Sequence, residues 1–203
     1  MKLYYAPGAC SLAPHIILQE LGKKFDIEKV DLRAKKTEIG SDFSKINTKG
    51  YVPTLELNSK GDVLTEVATI LQYLADKAKA TKLLPKAGTM ARYRAMEALN
   101  FVASELHKGI GGLFNPAMPD EGKKAIVSRV SVRLAWLDGV LAKQNFLTGK
   151  SFGVADAYAF TIINWCKMVG IETAQWKNIT AFMARVGARP SVQAAMKAEG
   201  LIS

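Results

Sequence analysis

Residues 1–16 read MKLYYAPGACSLAPHI, and the run from Ala6 to His15 decides how the chain begins. Lys2 to Ala6 is a short β-type run, Pro7-Gly8-Ala9 is a tight turn, and Ser11 to Leu21 reads as a helix ended by Gly22. Pro14 sets the start of that helix. A proline has no N–H and its ring collides with the carbonyl four residues earlier, so Pro14 suits only the first turn of a helix beginning near Ser11. Ser11 is then the expected N-cap, and Cys10 lies just ahead of N–H groups without intrahelical partners, at the positive end of the helix dipole. That setting favours a thiolate, either that of Cys10 or a bound one. It lowers a cysteine pKa below its free value of about 8.5, provided the sulfur is accessible. The opposing reading is that Cys10 merely fills space, because cysteine is among the most buried residue types. Position alone leaves both readings open.

Outward from this turn, Phe25 to Leu32 alternates apolar and polar residues as a strand does, and Asp42 to Ile46 forms a short helical turn. Tyr51 to Leu57 and Asp62 to Leu64 read as a hairpin across Asn58-Ser59-Lys60-Gly61, and Thr65 starts a helix running to about Ala78. The expected order is β-α-β-α-β-β-α over residues 1–79. Beyond residue 80 the pattern is helical throughout, over Thr89–Leu113, Asp120–Lys143, Val154–Val169, Lys177–Val186 and Ser191–Glu199. Residues 80–88, with Pro85 and Gly88, suit a linker, which leaves 89–203 as an all-helical domain.

Composition bounds the function. The 203 residues are about half apolar, enough to bury a full core, and no apolar run approaches the roughly 20 residues needed to cross a bilayer. No secretory leader is apparent, so the cytoplasm is the expected compartment, with no membrane partner. Two cysteines, Cys10 and Cys166, make neither a disulfide framework nor a structural zinc site, and no metal is expected. Cys166 lies in an apolar helical stretch and is expected in the core, as is His15. The net charge of +10 comes mainly from the second part, where 16 Lys/Arg face 8 Asp/Glu, against 12 and 10 in residues 1–79. These cations are dispersed, so a solvated helical surface is the favoured reading and a nucleic-acid partner is not expected.

Two further stretches have chemical content. In Gly50-Tyr51-Val52-Pro53-Thr54-Leu55 the proline holds its neighbour extended and cannot donate to a ladder, so Val52 has backbone groups available to an extended ligand. The Val52-Pro53 bond is a candidate for the cis form. In Leu64-Thr65-Glu66-Val67 the expected cap is Thr65, with Glu66 in the first turn. There its carboxylate either holds a ligand ammonium group or simply complements the dipole. In the second part, Asn100, Ser104 and His107 form one polar stripe at helical spacing beside the apolar stripe Leu99, Ala103, Leu106 and Ile110. Spacing alone makes His107 a solvated or interface residue.

Taken together, YYAPGACSLAPHI, NTKGYVPTLEL, LTEVATILQYLAD, LNFVASELHKG, FGVADAYAF and ARPSVQAAMKAEGLI make the chain resemble a cytosolic glutathione transferase of the bacterial beta class over nearly all of its 203 residues. The resemblance implies an α/β thioredoxin-like N-terminal domain (βαβαββα) plus an all-α helical C-terminal domain that carries the electrophile site. It implies detoxification chemistry, glutathione as co-substrate, a small apolar electrophile as partner and a homodimer. Carried onto this chain, Cys10 shares a mixed disulfide with glutathione or steers its thiolate, Lys35 lies near the glycine carboxylate, Val52 beside Pro53 makes paired backbone contacts, and Glu66 with Val67 meets the γ-glutamyl end. Val67 departs from the Gly or Ser usual there. Asn100, Ser104, Glu105 and His107 are implied in or beside the glutathione cleft, with His107 accepting the thiol proton or stabilising the thiolate. Tyr5 is the rival thiolate activator. Gly109 to Pro116 and the region around Trp165 are expected to form the acceptor wall. Gly153, where Ser or Thr usually caps a helix, keeps Asp156 three residues on, at an expected cost of a few tenths of a kcal/mol. The alternative functions are a non-catalytic glutathione-binding or regulatory protein, a cysteine hydrolase built on Cys10 and His107, and nucleic-acid binding.

Overall fold

The computed structural model describes residues 1–58 and 60–203. Ser59, within the expected hairpin loop, lies outside the described residues. Contacts divide the chain into one unit of Met1–Lys79 with Arg189–Ser203 and a second of Ala80–Ala188.

The first unit contains β1 (Lys2–Tyr5), α1 (Leu12–Glu20), β2 (Asp26–Asp31), β3 (Lys36–Thr37), α2 (Phe43–Ile46), β4 (Thr54–Glu56), β5 (Val63–Thr65) and α3 (Val67–Lys77). The sheet order is β3-β2-β1-β4-β5. β1 runs parallel to β2, with Leu3 opposite Ile27, and the other pairings are antiparallel, with Leu3 opposite Leu55 and Leu55 opposite Leu64. Tyr4, Val30, Phe43 and Val52 form a buried cluster. α1 is buried from Leu12 through Leu18 and packs against α3.

Several boundaries differ from expectation. The order gains β3, whose two residues are too few for any alternation to register. The strand expected over Tyr51–Leu57 contracts to Thr54–Glu56. Thr65 does not cap α3. It closes β5 opposite Thr54, and Glu66 takes the cap position at φ 70°, ψ 120°, with no side-chain capping bond. The ladder holds Thr65 extended, so the helix starts only after Glu66.

The expected helical domain over 89–203 is also corrected at its end. α9 (Pro190–Ala198) packs on α1 within the first unit. The reason lies in α1, which is buried without a break from Leu12 through Leu18 and so needs cover from α9 as well as α3. Val192 and Ala195 of α9 are fully buried, and Glu20 of α1 accepts bonds from the Arg189 guanidinium and the Ser191 hydroxyl.

The second unit holds α4 (Met90–Phe101), a π-helical stretch Val102–His107, α5 (Lys108–Gly112), α6 (Asp120–Leu141), α7 (Val154–Ile163), a 3-10 turn Cys166–Val169 and α8 (Lys177–Gly187). Thr89 caps α4 by accepting from the Arg92 N–H at 3.2 Å. The helix expected over Thr89–Leu113 is therefore continuous in direction but widened in its middle. α7 is buried along its whole length and ends earlier than expected, and Cys166 is fully buried in the turn that follows. The segment expected as a linker, 80–88, packs into this unit. Leu84 is buried and the Leu83 carbonyl accepts from the Val154 N–H at 3.1 Å. Gly153 precedes α7, and Asp156 receives the Gly153 N–H on one oxygen and the Leu147 N–H on the other, each at 2.8 Å. A Cβ at Gly153 would stand 2.9 Å from the Leu83 carbonyl oxygen, which explains why this position lacks a capping side chain.

Candidate active site

The turn after β1 is closed by Ser11. Its hydroxyl accepts from the Ala6 N–H at 3.2 Å and donates to the Ala6 carbonyl at 3.3 Å, so it does not cap α1 as expected. The N–H groups of Leu12 and Ala13 bond the carbonyls of Ala9 and Cys10, which leaves fewer orphan donors than position alone suggested. Gly8 takes φ 70° in this turn, a conformation glycine adopts without steric cost. Its N–H donates to Glu199 Oε2 at 2.9 Å, and the other oxygen of Glu199 lies 2.9 Å from His15 Nδ1.

Cys10 sits beside the Val52-Pro53 segment, whose peptide bond is cis. Its thiol donates to the Val52 carbonyl at 3.2 Å and is buried. Burial pushes the thiol pKa up to about 12, against the opposite pull of the Cys10 and Ser11 N–H groups. The condition set for a lowered pKa, an accessible sulfur, is not met: desolvation of a thiolate outweighs two backbone donors. Tyr5, also buried, has its phenol pushed up by burial and, to a lesser degree, by the carboxylates of Glu38 and Glu199.

Along the same edge, Lys35 takes φ 54° and donates from Nζ to the Gly50 carbonyl at 2.6 Å. Tyr51 is exposed, whereas Val52, Pro53 and Val67 are buried. Glu66 accepts on Oε1 from Lys49 Nζ at 2.6 Å and from the Tyr51 hydroxyl at 2.8 Å. The unit therefore brings Cys10, Val52, Pro53 and Lys35 to one loop cluster and ties Glu66 to it through Tyr51.

The second expected group lies in the helical unit, on and beside the π-helical stretch. There the backbone bonds span five residues, so the angular spacing assumed for an α-helix does not hold. Asn100 and Ser104 are exposed, with the Ser104 hydroxyl turned back onto the Asn100 carbonyl at 2.9 Å. Glu105 accepts from Arg133 Nε at 2.6 Å. His107 is half-buried, with Nδ1 2.6 Å from the Tyr158 hydroxyl and its ring edge-on to Trp165 at 5.0 Å. Trp165 in turn meets Phe114 at 5.5 Å, so residues expected in the acceptor wall gather around His107. Sequence reasoning missed Lys49, Tyr158 and Glu199. A surface lysine, a tyrosine in an apolar helix and a glutamate near the end of the chain carry no signal until folding shows their partners.

Residues 8–77 match the family model for the glutathione S-transferase N-terminal domain, and residues 101–190 match that for the glutathione S-transferase C-terminal domain. The chain is 43% identical to glutathione S-transferase GstA of Escherichia coli O157:H7, over 99% of this chain and all of that protein. The chain belongs to the glutathione S-transferase family.

Solved structures agree. The enzyme superposes on a glutathione transferase from Methylococcus capsulatus with a TM-score of 0.96 at 50% identity, covering 99% of both chains. For the bacterial beta class enzyme of Sphingomonas chungbukensis the TM-score is 0.95 at 46% identity over the full length of both. A sphingomonad glutathione S-transferase complexed with glutathione gives 0.94 at 46%, again over the full length of both. Among the described residues of the enzyme, no helix is long and apolar enough to cross a membrane, and no group of three or more His, Cys, Asp or Glu is placed to hold a metal.

Proposed function

We propose that the enzyme joins the thiolate of glutathione to small apolar electrophiles, binding the tripeptide along Val52-Pro53. The observation that carries this reading is the extended, proline-held segment beside Cys10, flanked by the Lys35 cation and the Glu66 carboxylate, in a chain 43% identical to a named glutathione S-transferase. An extended peptide with a carboxylate at one end and an ammonium group at the other complements those charges. In the reaction a sulfur–carbon bond forms, the electrophile loses its leaving group, and the thiol proton passes to a base. His107 is the proposed base or thiolate stabiliser, its ring oriented by Tyr158.

Because the Cys10 thiol is buried and held protonated, it serves conjugation as a neutral wall of the sulfur site. Disulfide exchange through Cys10 proceeds when a glutathione mixed disulfide reaches its sulfur. The Cys10–glutathione disulfide then forms, the second thiol leaves, and a further glutathione releases oxidised glutathione. Homodimerisation is supported by the large apolar side chains exposed on α4 and α6, Met90, Tyr93, Val132 and Trp136, the last of which lines a cavity of about 410 Å³ together with Phe101, Leu137 and the Arg94–Glu97 ion pair.

The test is glutathione-dependent conjugation of 1-chloro-2,4-dinitrobenzene by wild type and by the Cys10→Ala, Tyr5→Phe and His107→Ala variants, with calorimetric titration of glutathione. Binding and turnover by wild type, retained conjugation without Cys10 and a kcat/KM loss of about 10² or more without His107 are expected. A folded wild-type protein that takes up no glutathione overturns the reading.

A further inference from the structure

At the far end of α1 from Cys10, the first unit holds a cavity of about 310 Å³ between the last turns of α1 and α3. The length of α1, roughly 14 Å at 1.5 Å per residue, separates it from the Cys10 turn. Its floor is apolar. Leu18 and Leu74, 0% and 2% exposed, line it together with the half-buried Leu21. Its rim is cationic: Lys23, Lys24 and Lys77 are exposed, and none of the lining residues is acidic.

The fold accounts for one of these cations. Lys77 stands in the last turn of α3, where a positive charge complements the helix dipole, and its Nζ donates to the Tyr73 hydroxyl at 2.7 Å one turn back. Lys23 and Lys24 lie past the end of α1, beyond Gly22 at φ 59°, and among the described residues neither makes an ion pair or a side-chain hydrogen bond. Glu20, in the last turn of α1, is engaged by Arg189 and Ser191 instead. Like charges around one recess disfavour one another and favour an anion among them.

A ligand that answers both features has an alkyl chain for the leucines and a single negative charge for the lysines. The volume lies at the lower end of the range for small-molecule sites, which suits a chain of medium length. An anionic bilayer would answer the charge alone, because the leucines are recessed and do not protrude to meet acyl chains.

We infer that this recess binds the anion of a medium-chain fatty acid, its alkyl chain against Leu18, Leu21 and Leu74 and its carboxylate among Lys23, Lys24 and Lys77. The lysine stems extend the apolar wall while their ammonium groups stay in water. No residue of the proposed glutathione site takes part, so binding is independent of glutathione.

The experiment titrates decanoate, below its micelle concentration, into the enzyme by calorimetry and follows leucine methyl signals by NMR. A Kd on the order of 0.1 mM is expected, with shifts at Leu18, Leu21 and Leu74 that saturating glutathione leaves unchanged. Decyltrimethylammonium, an alkyl chain of the same length with the opposite charge, should leave those three signals in place. A variant carrying both Lys23→Glu and Lys24→Glu should bind decanoate about tenfold more weakly at unchanged kcat for conjugation. Ala78→Leu, which narrows the recess from its lining, should weaken binding as well. Equal affinity in the charge-reversed variant and wild type, shifts confined to other leucines, or an equal response to decyltrimethylammonium would each overturn the inference. So would sedimentation with phosphatidylglycerol vesicles by an enzyme that takes up no decanoate.

Discussion

At the scale of single residues, Cys10 shows two electrostatic effects competing on one atom. The N–H groups of Cys10 and Ser11 favour the thiolate, and burial opposes it more strongly, so the thiol is held near 12 in place of 9.0. Cys166, also buried, is pushed up to about 12 by the same cause. At pH 8 the thiolate fraction of each is lower than that of a free cysteine by on the order of 10³. Native enzyme treated with iodoacetamide at pH 8 should therefore stay unmodified while protein in urea is alkylated at both positions, as read by mass spectrometry. Rapid labelling of native Cys10 would refute this account. Linkage has the same sign. The folded state binds each thiol proton more tightly than the unfolded chain does, so the stability this contributes is complete below pH 9 and declines as pH rises toward 12. Urea midpoints between pH 8 and 10.5 should fall less steeply for a Cys10→Ala variant.

At the scale of elements, the starts of two helices show why a capping residue is not a free choice. α3 begins late because Thr65 belongs to the β5 ladder, and Glu66 absorbs the change of direction with a positive φ. α7 begins at Gly153, where the reciprocal half of a capping box is made by Asp156. A serine there supplies the missing hydroxyl but also a Cβ 2.9 Å from the Leu83 carbonyl oxygen, and that backbone is itself held by the Val154 N–H. The steric cost wins: Gly153→Ser should destabilise the enzyme by about 1–3 kcal/mol, opposite in sign to the few tenths a serine cap would add. Urea unfolding decides it, and a variant as stable as wild type would show that the segment around Leu83 gives way. The π-helical stretch Val102–His107 is a second such local fact. It sets where Ser104, Glu105 and His107 project, and its wider turn leaves no trace in a hydrophobic pattern read at helical period.

At the scale of the whole molecule, the last helix completes the unit that the first residues begin. Glu199 is buried and bridges His15 on α1 and the Gly8 N–H in the turn that carries Cys10. Replacing it with alanine strips a partner from the buried His15 ring, whose Nε2 already has none among the described residues. Glu199→Ala should cost about 3 kcal/mol or more in urea unfolding. Its effect should exceed that of Glu199→Gln, which keeps an acceptor for Gly8, and equal losses would refute a carboxylate-specific role. Much of this protein was legible in its residues. Pro14 and the alternation of strand and helix patterns set the βα beginning, Pro53 marked the candidate cis bond that the structure shows, and the unbroken helical texture after residue 80 marked the second part. These readings succeed because they rest on local sterics and on the period of apolar residues, both of which are properties of a short window. Tertiary structure alone decided the protonation of Cys10, the partners of Glu66 and Glu199, and the assignment of α9 to the first unit. Each of these depends on burial or on contact between residues far apart in the chain, and neither desolvation nor a distant partner exists until the chain has folded.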